Sequence, residues 1–142
     1  MYSKILVALE NKATDEAILP HVAQLAKLAG STLLLVHVAD GWAARNYHHL
    51  KLNESEEMQQ DRAYLEKRAE ALRRDGLMVA TYLAMGEPAK QILEVAEKEE
   101  CNLIAMTTHG HRFLGDIIHG STISEVRHRS RVPLLLVRAA DQ

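Results

Sequence analysis

Five short apolar runs punctuate the chain, and stretches with helical spacing fill the gaps between them. KILVAL at Lys4–Leu9 is the first. A run this short, apolar and partly β-branched fits a strand buried on both faces. Thr32–Val38 (TLLLVHV), Leu77–Ala84, Leu103–Met106 and Val132–Val137 (VPLLLV) are the other four. Pro133 has no N–H to give to a ladder. The last strand is therefore expected at a sheet edge, or with its other edge served by a partner chain.

After the first run, Thr14 is placed to cap a helix, with Asp15 and Glu16 in the first turn, where the dipole favours negative charge. Ile18, Val22, Leu25 and Ala29 give its apolar side, and Gly30 suits its exit. Pro20 should remove one hydrogen bond early in this helix. Residues 39–52 show no clear period and read as a loop. Asn53 with Glu56 has the form of a capping box. It would open a second helix carrying Met58, Leu65, Ala69 and Leu72 on one side, with Glu70 and Arg74 as an i,i+4 pair and Gly76 at the end. Gly86-Glu87-Pro88 turns the chain into a third helix, with Pro88 in the first position and Ala89, Ile92, Leu93 and Ala96 as its apolar face. A fourth helix is expected from Gly120 or Ser121 to about Ser130.

Strand and helix alternate throughout. The pattern predicts an α/β fold in which five parallel strands are doubly wound, with helices on both faces and right-handed crossovers. With 142 residues, the expectation is a single domain over 1–142. In such sheets ligands collect beyond the carboxyl ends of the strands, where the strand order reverses. The ends of strands one, two and four are expected to meet there.

Composition narrows the classes. The chain is 47% hydrophobic and 25% charged, as ordinary globular proteins are, and its formal net charge is -2. That balance argues against a nucleic-acid binder working through a general basic field. The single cysteine, Cys101, excludes an intramolecular disulfide and suggests a reducing, cytoplasmic compartment. No run approaches the roughly 20 apolar residues of a membrane span.

Candidate chemistry concentrates in Thr108–Ser121, THGHRFLGDIIHGS, which holds three of the 7 glycines. A phosphate needs donors on a backbone that can come close, and glycine permits that approach. A helix N-terminus adds unpaired N–H groups and a positive dipole end. Gly120-Ser121 at a helix start offers both, while Gly110 lets the chain turn after strand four. His109 and Arg112 flank Gly110 and are placed to approach an anion. The pattern is neither a P-loop nor GxGxxG. An equally physical reading is a surface loop shaped by Gly110 and Gly115, with Gly120-Ser121 merely capping a helix.

The chain resembles the universal stress protein (UspA) family over essentially its full length. The likeness is carried by KILVAL followed by an acidic residue, by LLLVHVAD, by MTTHGH and by GS-x5-RHRSRVPLLLVR. Nucleotide-binding members carry G-x2-G-x9-G-[ST]; here the segment reads Thr107-x2-Gly110-x9-Gly120-Ser121, so Thr107 stands in place of the first glycine. The resemblance implies a three-layer, Rossmann-like sandwich with a five-stranded parallel sheet and four helices. It implies a homodimer paired through the last strand, Val132–Val137, and a bound ATP, AMP or related adenine nucleotide, with any Mg²⁺ held mainly by its phosphates.

The same resemblance implies a site. The backbone of Val38 would contact adenine, and Gly110, Gly120 and Ser121, with the adjoining Thr122, would hold ribose and phosphates. Ala8 and Leu9 lead to the acidic position, commonly Asp in the family and Glu10 here. Thr107, His109 and Arg112 complete the candidate set.

Other features point elsewhere. His48, His49, His109, His111 and His119 lack zinc-site spacing, so no dedicated metal site is expected. Phe113, Leu114, Ile117 and Ile118 suit an anchored loop or a lid. Arg127, His128, Arg129 and Arg131 suit a helix C-terminus. Trp42 and Tyr47 lie in the 39–52 loop, as ordered cover or as a partner surface. No general acid–base set stands out. The reading is a regulatory nucleotide binder; the alternatives are a dimeric interaction module that binds no nucleotide, or a weak ATPase.

Overall fold

The computed structural model describes residues 1–39, 51–109 and 120–139. Their order is β1 (Lys4–Leu9), α1 (Asp15–Ala29), β2 (Thr32–Ala39), α2 (Lys51–Arg74), β3 (Met78–Met85), α3 (Pro88–Lys98), β4 (Leu103–Thr108), α4 (Gly120–Arg129) and β5 (Leu134–Arg138). The five strands form one sheet in the order β3-β2-β1-β4-β5, and every neighbouring pair is parallel. The expected α/β architecture is therefore present, with β5 on an edge as Pro133 requires.

β1 is central, and side chains alternate across it. Ile5, Val7 and Leu9 face a core shared with Ile18, Val22 and Ala26 of α1 and with Leu65, Ala69 and Leu72 of α2. Leu6 and Ala8 face the opposite core, with Val36 and Val38 of β2, Ile92 and Val95 of α3, and Val126 of α4. The sheet thus lies between two helical layers, and its inner strands are apolar on both faces because both are covered.

Local differences from the sequence reading have physical causes. α2 is already helical at Lys51, so Asn53 lies inside the helix and does not cap it. Thr14 occupies the N-cap position of α1 but its side chain makes no capping bond; the neighbouring Asp15 carboxylate reaches back to accept from the Glu10 and Asn11 amides that precede the helix. Glu70 pairs with Arg73 at 2.9 Å, one residue short of Arg74, because the Arg73 guanidinium also reaches the Val79 carbonyl. β3 runs one residue later than expected at both ends, β4 continues through Thr107 to Thr108, and β5 begins after Pro133 rather than at Val132. Pro20 does sit inside α1, and Pro88 does open α3, where the Glu87 side chain accepts from the Ala89 and Lys90 amides. The αL conformation of Gly30 (φ 70°) closes α1 through a bond from its N–H to the Ala26 carbonyl.

Candidate functional site

The chain leaves β1 for β2 on one side and later enters β4 on the other. Strand order therefore reverses between β1 and β4, and the crevice beyond their carboxyl ends is where an open parallel sheet accepts a ligand. Glu10 follows β1 and His109 follows β4. Their side chains meet across this point, with Glu10 Oε1 2.5 Å from His109 Nε2. Glu10 is only 2% exposed. A carboxylate here is an acceptor alone, and favours N–H or O–H donors over phosphate oxygens.

The main chain entering the crevice is held from below. The Leu9 carbonyl accepts a hydrogen bond from His37 Nδ1 at 2.9 Å, so that nitrogen carries the proton. The Glu10 N–H donates to Asp15 Oδ1 at 2.9 Å, and the Asn11 N–H to Asp15 Oδ2 at 2.9 Å. Tyr64 of α2 donates its hydroxyl to the same Oδ2. Burial, then the hydrogen bond to the Asp15 carboxylate, raises the Tyr64 phenol above its ordinary range, so it remains a donor. Asn11 takes a left-handed conformation (φ 60°), and its amide donates to Asp61 Oδ1 at 2.9 Å. None of Asp15, His37, Asp61 and Tyr64 was among the site residues expected from the sequence. The available signal was a histidine inside an otherwise apolar strand run, TLLLVHV, and an acidic residue six positions past a strand end.

The remaining candidates sort as follows. Ala8 and Val38 are buried on the α3–α4 side of the sheet, and Leu9 on the α1–α2 side. Thr107 is fully buried. Ala105 belongs to the α1–α2 core and Met106 to the other, so alternation puts Thr107 with Ala105. Its hydroxyl has no hydrogen-bond partner among the described residues. Gly120 opens α4, Ser121 in the first turn is exposed, and Thr122 is buried. The structure thus brings Glu10 and His109 together. Gly110 and Arg112 lie outside the described residues, as do Trp42, Tyr47, His48, His49, His111, Phe113, Leu114, Gly115, Ile117, Ile118 and His119.

Two of the cavities among the described residues lie away from the crevice. One sits between α2 and the edge strand β3, against Arg62, Glu66 and Tyr82. The other lies between α3 and the end of α4, against Leu93, Cys101 and Arg131. No helix among the described residues is long and apolar enough to cross a membrane.

The fold and sequence have clear relatives. The universal stress protein MJ0577 of Methanocaldococcus jannaschii is 28% identical over 158 residues, covering 97% of this chain and 96% of that protein. The solved structure of MJ0577 superposes with a TM-score of 0.81 at 24% identity, covering 100% of this chain and 99% of its own. A universal stress protein from Archaeoglobus fulgidus, solved in complex with dAMP, superposes with a TM-score of 0.71 at 21% identity, covering 96% of this chain and 98% of its own. A universal stress protein solved in complex with cAMP gives a TM-score of 0.69 at 15% identity, covering 98% of each chain. The model of the universal stress protein family matches residues 1–138, and with a central β1, two helical layers and a crevice between β1 and β4 to go with that match, this chain belongs to the universal stress protein family.

Proposed function

We propose that this chain binds an adenine nucleotide of the AMP type, ATP included, in the crevice beyond β1 and β4, and serves as a regulatory stress-response protein. The observation that carries the reading is an α-helix opened by Gly120-Ser121 as the next described element after the strand that borders the reversal of strand order. The amides of that first helical turn suit phosphate oxygens, and the Gly110-x9-Gly120-Ser121 spacing matches that part of the nucleotide-binding pattern of the family. Glu10, an acceptor, suits the donor groups of ribose or adenine, and Val38 offers its backbone at the end of β2. Mg²⁺, when it accompanies the nucleotide, rests mainly on the phosphates. Folded relatives solved with dAMP and with cAMP support this choice of ligand class.

The nucleotide binder is a homodimer that pairs through β5. Its two sheet edges differ. On β3 the Val79 carbonyl is covered by the Arg73 guanidinium, at 3.1 Å from Nε. On β5 the run Leu134–Val137 is half-buried or exposed, with Leu136 42% exposed. An apolar, uncovered edge is the one that seeks a partner.

Calorimetric titration of ATP, AMP and cAMP into the wild type and a Gly120→Val variant tests the site. Binding by the wild type and its loss in a folded variant is expected; equal affinities sink the assignment. The Glu10–His109 pair favours a second reading, since it engages the acidic group in advance. There the protein is a dimeric interaction module without nucleotide. Undetectable binding of all three nucleotides, with dimerisation retained, decides for it.

A further inference from the structure

The Leu9 carbonyl and the Glu10 N–H belong to one peptide group. Both ends of that group are held by buried side chains from other elements. His37 of β2 donates to the oxygen at 2.9 Å, and Asp15 of α1 accepts from the nitrogen at 2.9 Å. His37 is 4% exposed and Asp15 0%. Asp15 has further holds: its Oδ2 takes the Tyr64 hydroxyl and the Asn11 N–H, and Asp61 Oδ1 accepts from the Asn11 side-chain amide at 2.9 Å. Asp61 and Tyr64 are one turn apart on α2.

A peptide plane held at both ends fixes ψ of Leu9 and φ of Glu10 together, and so sets the direction in which the Glu10 side chain leaves the backbone. A free strand end would let that carboxylate sample several directions, at a cost in order whenever it must meet one target. Here it meets His109 at 2.5 Å. We infer that Asp15 and His37, backed by Tyr64 and Asp61 of α2, are positioning residues that aim the Glu10 carboxylate across the crevice. Its bearing on ligand affinity rests on the nucleotide reading above; the aiming of Glu10 does not.

Two readouts separate those claims. The ¹⁵N shift of His109 Nε2 in a long-range ¹H–¹⁵N spectrum reports whether a carboxylate sits on that nitrogen. Asp15→Asn keeps the shape of the side chain and removes one acceptor. In this variant the His109 signal is expected to move towards its position in Glu10→Gln. A signal that stays at the wild-type position in a folded Asp15→Asn protein overturns the inference. Should Asp15→Asn fail to fold, Tyr64→Phe removes only the hydroxyl that steadies Asp15. A smaller movement in the same direction is expected, and none at all overturns the inference.

ATP affinity is measured in the same proteins. A tenfold loss, on the order of one hydrogen bond to a charged group, is expected for Asp15→Asn. In a Glu10→Gln background the same substitution should change affinity by less than about twofold, because its effect passes through Glu10. A tenfold loss that persists without the Glu10 carboxylate assigns Asp15 a general structural role and overturns the positioning role. If the wild type binds no nucleotide, the functional reading fails, and the His109 signal still decides whether Asp15 aims Glu10.

Discussion

Glu10 Oε1 and His109 Nε2 lie 2.5 Å apart with both side chains almost wholly buried, joining the ends of β1 and β4 across the reversal of strand order. Removing one member of a buried hydrogen-bonded pair leaves the other desolvated without that partner, whereas removing both avoids that penalty. His109→Ala is therefore expected to lower unfolding free energy by about 2 kcal/mol. The double variant Glu10→Gln/His109→Ala should lose less than His109→Ala alone. Urea denaturation monitored by circular dichroism checks this; a double variant no more stable than His109→Ala would show that the pair is not energetically coupled.

Much of this architecture can be read from the chain because apolar runs and helical spacing report burial directly. KILVAL and TLLLVHV are buried almost throughout, as runs without polar alternation require. Pro133 announced the edge position of β5 by its missing donor. What escaped is of a different kind. Asn53 has the chemistry of a cap, yet helix begins by Lys51, and tertiary packing sets such boundaries more than local propensity does. Asp15 looked like a dipole partner, and its role as a backbone clamp depends on a turn, Glu10 to Thr14, whose shape no spacing rule supplies. His37 and Tyr64 meet that clamp from elements 22 or more positions away, a separation that periodicity does not encode. The glycine and serine spacing singles out Thr108–Ser121 as a candidate segment; the contact between Glu10 and His109, 99 positions apart, could not be seen before the strands were laid side by side.

The two sheet edges give opposite expectations for association. Leu136 is 42% exposed in the middle of β5, and Met78 is 71% exposed at the start of β3. A charge on the pairing edge opposes strand addition, whereas one on an edge already covered by Arg73 changes little. Leu136→Asp is expected to convert the proposed dimer to a monomer, and Met78→Lys to leave that association intact. Size-exclusion chromatography with light scattering reads both. A Leu136→Asp protein that remains dimeric sinks the assignment of β5 as the interface.

Cys101 is 5% exposed, and burial pushes its thiol from the ordinary 9.0 up to about 11, with Lys4 partly offsetting and Glu99 adding to the rise. The thiolate is the reactive form, so its fraction at pH 8 falls about 100-fold relative to an unburied cysteine. Alkylation by iodoacetamide at pH 8 is expected to be slower by about that factor in the folded protein than in urea. The unfolded chain releases this proton first, so the contribution is fully present below pH 9 and is lost as pH rises through about 11. Comparable alkylation rates in the folded and unfolded protein would contradict the burial.

Thr107 occupies the position of the first glycine in the nucleotide-binding pattern, and its consequences can be separated by one isosteric change. The residue is fully buried within β4, opposite Val137 of β5, and its hydroxyl lacks a partner among the described residues. An unsatisfied buried hydroxyl costs roughly 1–3 kcal/mol, which valine avoids while keeping the branched shape that a strand favours. Thr107→Val is expected to raise unfolding free energy by about 1 kcal/mol. Because the side chain is packed beneath the sheet rather than presented to solvent, ATP affinity should be unchanged within about twofold. Denaturation and calorimetry on the same preparation read the two quantities. A stability gain with unchanged affinity identifies Thr107 as a packing residue whose departure from glycine the site tolerates. A fall in affinity of tenfold or more would instead make the hydroxyl a donor to the nucleotide, and the residue part of the site.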